Sequence, residues 1–274
     1  MANRKQENLL LEQRSRRKDQ ESLQTVGWDP RQTAIIICDM WDDHTCKAAA
    51  QRVAEMVPTM NRMVSAAREI GVSIIHAPSG TMSFYDETSQ RHRAIEASFT
   101  ESPVEIQWNY WDTEREGEPL SFIRNSGCGC SESCPGWVAD DEGVRQWKGG
   151  KVPWTRQIET IEIASEDAIS DDGQEVYNLI QERGIDNVIL MGVHTNICVS
   201  GRPFGLRQMV YHGKNVVLCR DLTDSFFQPV SPEFSHFRGT DLIVEHIEKH
   251  LCPTITSTGF TKEPAFHFRE DIDT

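Results

Sequence analysis

The 274-residue sequence has no apolar run near the ~20 residues that a membrane-spanning helix requires. It is also poor in positive charge, with 28 basic residues against 42 acidic ones and a formal net charge of −14. Nucleic-acid-binding surfaces are usually basic, so this composition favours small molecules or other proteins as ligands. The apolar centre of the N-terminal region, residues 9–11, is shorter than that of an export signal. We therefore expect a cytoplasmic protein with a small-molecule substrate and no nucleic-acid or membrane partner.

The cysteines lack the pattern of a disulfide framework. The eight are scattered along the chain and, in the expected cytoplasmic setting, are predicted to be reduced. Cys128, Cys130 and Cys134 have a spacing typical of metal ligands, but no fourth ligand is evident beside them, and structural zinc normally has four. A cluster of reduced thiols is favoured over a zinc site, and no cofactor or metal is predicted.

The sequence does contain a regular alternation of apolar runs and amphipathic segments. Buried strands are predicted at residues 33–40, 72–78, 158–163, 187–192, 214–221 and 254–257. The segments between them have helical periodicity, and one helix is expected to begin at Pro58 because proline suits a first turn. Strands that alternate with helices predict a three-layer α/β/α fold around a mostly parallel six-stranded sheet.

One long segment, residues 79–154, interrupts this alternation and holds five of the seven tryptophans. Long irregular segments in compact domains are usually functional, so we predict an insertion that forms a lid over the strand ends. The predicted domain spans 31–260. Residues 1–30 are expected to be an arm that is mobile or docks a partner, and residues 261–274 a C-terminal tail.

Asp39 and Cys198 are predicted to meet although 158 residues separate them. In an open α/β sheet, ligands bind beyond the carboxyl ends of the strands, where the strand order reverses. In the order 3-2-1-4-5-6 that point lies between the first strand, which Asp39 follows, and the fourth, which Cys198 follows. A helix N-terminus at Cys198 is expected to lower its pKa, and burial to raise that of Asp39. From spacing alone, structural roles for both residues are an equal alternative.

Three segments around these residues, "AIIICDMWDDH", "ERGIDNVILMGVHTNICV" and "GKNVVLCRDLTDSF", resemble the isochorismatase-like cysteine hydrolase superfamily. This superfamily includes nicotinamidases and N-carbamoylsarcosine amidases. The resemblance covers most of residues 33–79 and 158–257. It implies that Cys198 attacks the carbonyl of a small amide or carbamoyl compound, that Asp39 is the base, and that a thioester forms. The isochorismate-cleaving branch fits less well because it lacks the cysteine.

The resemblance also implies the surroundings of the nucleophile. The amides of His194 and Cys198 would form the oxyanion hole, next to a cis Val193–His194 peptide bond. Trp41 and His76 are predicted to line the substrate pocket. For His76 this role is favoured over binding a metal. Relatives are often oligomeric, so a homo-oligomer is expected.

One family feature is missing. The family has a lysine just after the third strand, whereas the nearest match here is Glu166, and a carboxylate would repel a thiolate. Lys151, Arg156 and Arg202 are the candidates to replace it, and Arg202 would share a helical face with Cys198 and line the pocket. Without a replacement cation, the alternative is a catalytically silent relative that binds a ligand or partner in the same crevice.

Overall fold

The computed structural model of the chain describes residues 8–18, 20–120, 127–130, 132–141, 143–229 and 235–273. In these ranges eight strands form one sheet: β1 (Leu9–Arg17), β2 (Gln20–Trp28), β3 (Thr33–Cys38), β4 (Ser73–Ala77), β7 (Ala168–Ile169), β8 (Asn187–Val193), β9 (Asn215–Asp224) and β10 (Thr254–Ile255). Two further strands, β5 (Trp137–Ala139) and β6 (Arg145–Trp147), form a separate antiparallel pair.

The strand order across the large sheet is β2-β1-β10-β9-β8-β3-β4-β7. All neighbours from β10 to β7 are parallel, whereas β1 is antiparallel to both β2 and β10. Numbered along the chain, the six parallel strands have the predicted order 3-2-1-4-5-6. The fold class is confirmed, but the predicted number of strands is wrong because the N-terminal region adds two.

Helices cover both faces of this sheet, which gives the three predicted layers. They are α1 (Lys47–Glu69), α2 (Ser89–Ile95), α3 (Thr113–Glu116), α4 (Gly173–Glu182), α5 (Leu206–Tyr211), α6 (His236–His250) and α7 (Thr258–Thr261). Apolar residues of α1 and α7 pack on one face of the sheet, and those of α4, α5 and α6 on the other. Alternate side chains of β3 enter the two cores, Ile35 on the α1 side and Ile36 on the opposite side, because successive residues of a strand point to opposite faces.

In the region predicted as an arm that is mobile or docks a partner, the strands β1 and β2 form a β-hairpin. β1 and β2 pair along their whole lengths, and β1 reaches the body of the sheet where Arg14 pairs with Thr254. Leu9 and Leu11 are buried, and Arg14 Nε donates to the buried carboxylate of Glu248 at 2.7 Å. Apolar burial and this ion pair attach the hairpin to the domain.

Two boundaries also differ from the prediction. The alternating segment 158–163 contains no strand, and the third parallel strand is instead the two-residue β7, buried at Ala168 and Ile169. Helix α1 begins at Lys47 and includes Pro58, because the buried stripe that continues N-terminally through Val53 and Met56 outweighs the cost of an internal proline.

None of the helices in the described ranges is long and apolar enough to cross a bilayer. Beyond α7 the chain continues along the α1 face of the sheet. There the Phe266 N–H donates to Asp221 at 3.0 Å, and Phe268 is buried in the same core as α1. The region predicted as a tail is therefore packed on the domain.

The insertion between Ser79 and Trp154 is tied to the domain by a buried charged cluster at α3. Glu116 binds Arg207 of α5 through both oxygens, at 2.6 and 2.8 Å, and His246 of α6 at 3.0 Å. Burial raises the pKa of Glu116, but the hydrogen bonds of Arg207 and His246 outweigh it and lower the pKa to about 2. The carboxylate is therefore charged over the whole range of ordinary working pH.

Glu116→Gln is expected to lower the free energy of unfolding by about 3 kcal/mol at neutral pH, because Arg207 would stay buried without a charged partner. Since the folded-state pKa lies below the ordinary value of 4.5, the stabilisation by Glu116 is present above that pH and is lost as the pH falls towards about 2. Urea titrations at several pH values measure both effects. The exposed Glu114 of the same helix gives the matched control, Glu114→Gln, which should change stability little; equal losses in the two variants would contradict the assignment.

Candidate active site

The site lies where β3 and β8 end side by side, with Cys38 opposite Gly192. Asp39 follows β3 directly, and its backbone N–H donates to Ala77 of β4 at 3.1 Å. Its φ of +50° is in the left-handed region, which turns the chain at once, and the Trp41 N–H closes this turn on the Asp39 carbonyl at 2.9 Å. The carboxylate is thereby held, fully buried, at the reversal of strand order.

Gly192 is required for the close approach of the two strand ends. Its φ is +104°, and a Cβ atom there would lie 2.1 Å from the carbonyl oxygen of Cys38. Gly192→Ala is expected to destabilise the fold by about 3 kcal/mol or more, because left-handed strain adds to a backbone clash. Gly213→Ala is the matched control, since its φ of +72° has the same sign and no atom lies within 4 Å. Similar melting temperatures for the two variants would contradict this view of Gly192.

Cys198 lies in a π-helical turn, Thr195–Val199, that follows β8. The Val193–His194 peptide bond before this turn is cis, as the resemblance implies. The carbonyl of His194 accepts the N–H groups of Ile197 and Val199 at 3.0 and 3.1 Å, which closes the turn. Cys198 is therefore in the second half of the turn, and not at the N-terminus of an α-helix as predicted.

The Asp39 carboxylate has three partners. One oxygen accepts the backbone N–H of Ser79 at 2.8 Å, and the other accepts Nε and Nη2 of Arg202 at 3.1 and 3.0 Å. The thiol of Cys198 is the third group, close enough to the same carboxylate for the two to interact electrostatically. The structure thus brings together the two residues that topology predicted to meet, and adds a cation to them.

Burial dominates the protonation of this group. It raises the pKa of Asp39, although Arg202 opposes the shift. Burial also raises the pKa of the Cys198 thiol, the Asp39 carboxylate adds to this shift, and Arg202 opposes it. The expected lowering of the thiol pKa is therefore wrong: the turn dipole is outweighed by desolvation and by the neighbouring negative charge. At neutral pH the resting sulfur carries its proton.

Of the three candidates for the missing cation, the structure brings Arg202 to the site. The Arg202 N–H donates to the Cys198 carbonyl at 2.9 Å, which places its side chain one turn beyond the sulfur. Lys151 is exposed in the insertion, and Arg156 pairs with Glu159 at 2.9 Å. The resemblance gave the family's cation as a lysine near position 166. Here Glu166 is exposed, and the cation is Arg202, which follows the turn that contains Cys198.

Aromatic rings form a wall next to the turn. Trp41 stacks on Trp154 with ring centroids 4.4 Å apart, and His44 also stacks on Trp154, at 5.4 Å. His194 and Phe226 contact His44 edge-on, both at 4.9 Å. Burial lowers the pKa of His44 to about 4, so its ring is neutral at pH 7. Flat and uncharged surfaces therefore border the nucleophile.

His76, which was predicted to line the pocket, has a structural environment instead. Nδ1 bonds to Gln157 at 3.1 Å and Nε2 to Asp167 at 3.0 Å, and the side chain is fully buried. Arg68 of α1 binds the same Asp167 carboxylate. Both ring nitrogens of His76 are thus used to join β4 to the loop before β7.

The insertion supplies contacts that the sequence did not single out. The ring of Trp108 lies 4.9 Å from the guanidinium carbon of Arg202, and a Cβ atom on Gly201 would lie 2.9 Å from the carbonyl of Asn109. Cys198 itself is nearly covered, with only 5% of its surface exposed. The density of tryptophan in 79–154 was the available signal for this cover, but it could not say which ring meets which residue.

The backbone amide of His194 opposes the rise in the pKa of the Cys198 thiol, so this amide lies near the sulfur. A donor next to the nucleophilic atom is the arrangement that an oxyanion hole requires. The role of the His194 and Cys198 amides in binding an oxyanion stays a prediction.

No protein-family model matches the chain, and no curated protein is significantly similar to it in sequence. Solved structures do align with most of its length. A cysteine hydrolase from Pseudomonas syringae pv. phaseolicola 1448A is 16% identical over 86% of this chain and 95% of its own, with a TM-score of 0.48. An isochorismatase family protein from Burkholderia thailandensis is 13% identical over 85% of this chain and 95% of its own, with a TM-score of 0.47. A pyrazinamidase of Pyrococcus horikoshii in complex with zinc is 13% identical over 82% of this chain and 99% of its own, with a TM-score of 0.41.

Proposed function

We propose that this chain is an isochorismatase-like cysteine hydrolase that cleaves a C–N bond of a small amide or carbamoyl compound. One observation carries the proposal: the buried carboxylate of Asp39 binds the Arg202 guanidinium and interacts electrostatically with the neighbouring Cys198 thiol at the reversal of strand order. A sulfur nucleophile, a base and a cation are the groups that acyl transfer through a thioester requires.

The proposed reaction begins with a neutral thiol. As the Cys198 sulfur attacks the substrate carbonyl, its proton moves to Asp39, and the developing oxyanion is bound by the backbone amides of His194 and Cys198. Collapse of the tetrahedral intermediate breaks the C–N bond, and Asp39 returns the proton to the departing ammonia or amine. Asp39 then takes a proton from water as the water oxygen attacks the thioester; the C–S bond breaks, the acid is released, and Asp39 returns the proton to the Cys198 sulfur.

Arg202 supports this cycle by its charge. A carboxylate buried without a cation would be protonated at neutral pH and could not accept the thiol proton. Arg202 counteracts the effect of burial on the pKa of Asp39 and also favours the ionised form of Cys198. Its two hydrogen bonds orient the carboxylate as well.

The surroundings favour a small substrate with a planar group. Four rings border the turn that contains Cys198, those of Trp41, Trp154, His44 and Phe226. Such surfaces bind flat groups by stacking. Because Cys198 is almost covered, the substrate gains access when the rings of the insertion move. We also propose that the protein works as a homo-oligomer.

The alternative is a silent relative that binds a ligand in the same crevice, and the cover over Cys198 together with its raised pKa favours it. A panel of small primary amides and carbamoyl compounds, assayed for ammonia release, separates the two. Mass spectrometry of acid-quenched reactions should show one acyl group on the Cys198 peptide. Ligand binding by calorimetry with neither ammonia nor an acyl adduct would establish the silent alternative.

A further inference from the structure

Four cysteines converge beside the active site from two distant parts of the chain. Cys128, Cys130 and Cys134 belong to the insertion, and Cys46 precedes the first turn of α1. Cys130 Sγ lies 3.6 Å from Cys46 Sγ and 3.4 Å from Cys134 Sγ. The sulfurs of Cys46, Cys128 and Cys130 all lie within 4.8 Å of one another, and Cys134 joins this group through its contact with Cys130. Cys46 is the fourth sulfur that the sequence pattern lacked.

These separations are those of a metal site. A Zn–S bond is about 2.3 Å, so two ligands at the corners of a tetrahedron are about 3.8 Å apart. The measured 3.4 and 3.6 Å are close to this value. They are far longer than the ~2.05 Å of a disulfide bond. Three thiols within 4.8 Å of one another, with a fourth beside Cys130 and no covalent bonds between them, can converge on one ion.

The backbone around the sulfurs is arranged for negative charge. The Lys47 N–H donates to Cys134 Sγ and the Ala48 N–H to Cys130 Sγ, both at 3.4 Å. These N–H groups belong to the first turn of α1, where they have no partner within the helix and where the helix dipole favours an anion. The Arg145 guanidinium donates to the carbonyls of Cys128 and Cys130 and holds the loop in place.

The part of the insertion around β5 and β6, away from the charged cluster at α3, also needs such a link. Its only strands in the described ranges, β5 and β6, have three residues each, and so small a substructure cannot bury enough apolar surface to fix itself. The thiols lie in a small apolar cluster with Phe226 and Trp137, and this cluster borders Ile197 of the catalytic turn. A metal here would join the insertion, α1 and the wall of the active site.

We propose that Cys46, Cys128, Cys130 and Cys134 bind one structural Zn²⁺ ion. Four soft thiolates in tetrahedral arrangement select zinc among the common divalent ions, and a site closed by four protein ligands has no open position for catalysis. Each thiol releases its proton to solvent when its sulfur binds the metal. The site is separate from Cys198 and Asp39, and its function is to hold the insertion in place over them.

The test begins with the full-length chain, produced in zinc-supplemented medium, dialysed against metal-free buffer and analysed by mass spectrometry for metals. One zinc per chain is expected. Cys130→Ser and Cys134→Ser should each lose the metal, whereas Cys198→Ser and Cys252→Ser, which change cysteines outside the cluster, should retain it. Zinc retained equally by all four variants, or iron in place of zinc in the wild type, would overturn the assignment.

A second measurement does not depend on whether the cluster variants fold. Removal of zinc from the wild-type chain by a chelator, followed by addition of Co²⁺, should give the intense d–d absorption and the sulfur-to-cobalt charge transfer of a tetrahedral thiolate site. A weak spectrum typical of six oxygen ligands would contradict four-sulfur binding. A metal-free wild type whose mass shows disulfide bonds among these cysteines would do the same.

Discussion

Replacing Cys198 with alanine is expected to lower the rate of ammonia release by about 10⁴-fold or more, because no other group can form the thioester. The loss should be in kcat, since the residues that border the substrate are unchanged. Steady-state kinetics on the best amide of the panel measure it. Loss of the acyl adduct in quenched samples should accompany the loss of rate.

The matched control for this variant is Cys252→Ala. Cys252 is also buried and free, but it follows α6, away from Asp39. Its replacement removes a similar volume and should leave the rate within a few-fold of the wild type. If Cys198→Ala retained substantial activity while folding normally, the proposed nucleophile would be wrong.

Arg202→Gln is expected to lower kcat/KM at neutral pH by about 10²-fold, the range found for impaired general acid–base catalysis. The sign of the pH effect follows from the buried carboxylate. Burial already raises the pKa of Asp39, and loss of the cation raises it further. Since Asp39 must be ionised to accept the thiol proton, the acidic limb of the pH profile should move to higher pH, and raising the pH should restore part of the lost activity.

Arg202→Lys is the informative comparison, because lysine keeps the charge but gives up the paired hydrogen bonds to Asp39. It should show a smaller shift of the acidic limb than Arg202→Gln. A uniform loss of activity at every pH in both variants, with no displacement of the profile, would mean that Arg202 acts on substrate binding and not on the base.

The central arrangement was predictable because topology determines it. Adjacent parallel strands bring their carboxyl ends together, so a carboxylate after the first strand and a thiol after the fourth must meet if the order is 3-2-1-4-5-6. The apolar, β-branched runs of β3 and β8 made those two strands easy to recognise. The prediction that Asp39 and Cys198 meet therefore required no knowledge of side-chain packing.

Other features depend on contacts that a linear pattern does not contain. β7 has two residues, too few for any periodicity, whereas the alternating segment 158–163 lies outside the sheet. The direction of the Cys198 pKa shift depends on the balance between desolvation and a turn dipole, which requires the depth of burial. Cys46 was not recognised as a partner of the cysteines in the insertion because 81 residues separate it from Cys128. Its position between the end of β3 and the start of α1 was the one available signal.

The guanidinium of Arg202 lies between two parts of the molecule, since it binds Asp39 on one side and the ring of Trp108 on the other. In the proposed mechanism, a displacement of Trp108 that admits a substrate would therefore also change the environment of the cation beside the base. Movement of Trp108 and the basicity of the Asp39 carboxylate would then be linked through the side chain of Arg202. In the proposed mechanism, the closed cover would shield the sulfur from oxidants, and the sulfur would react only once a substrate occupies the crevice.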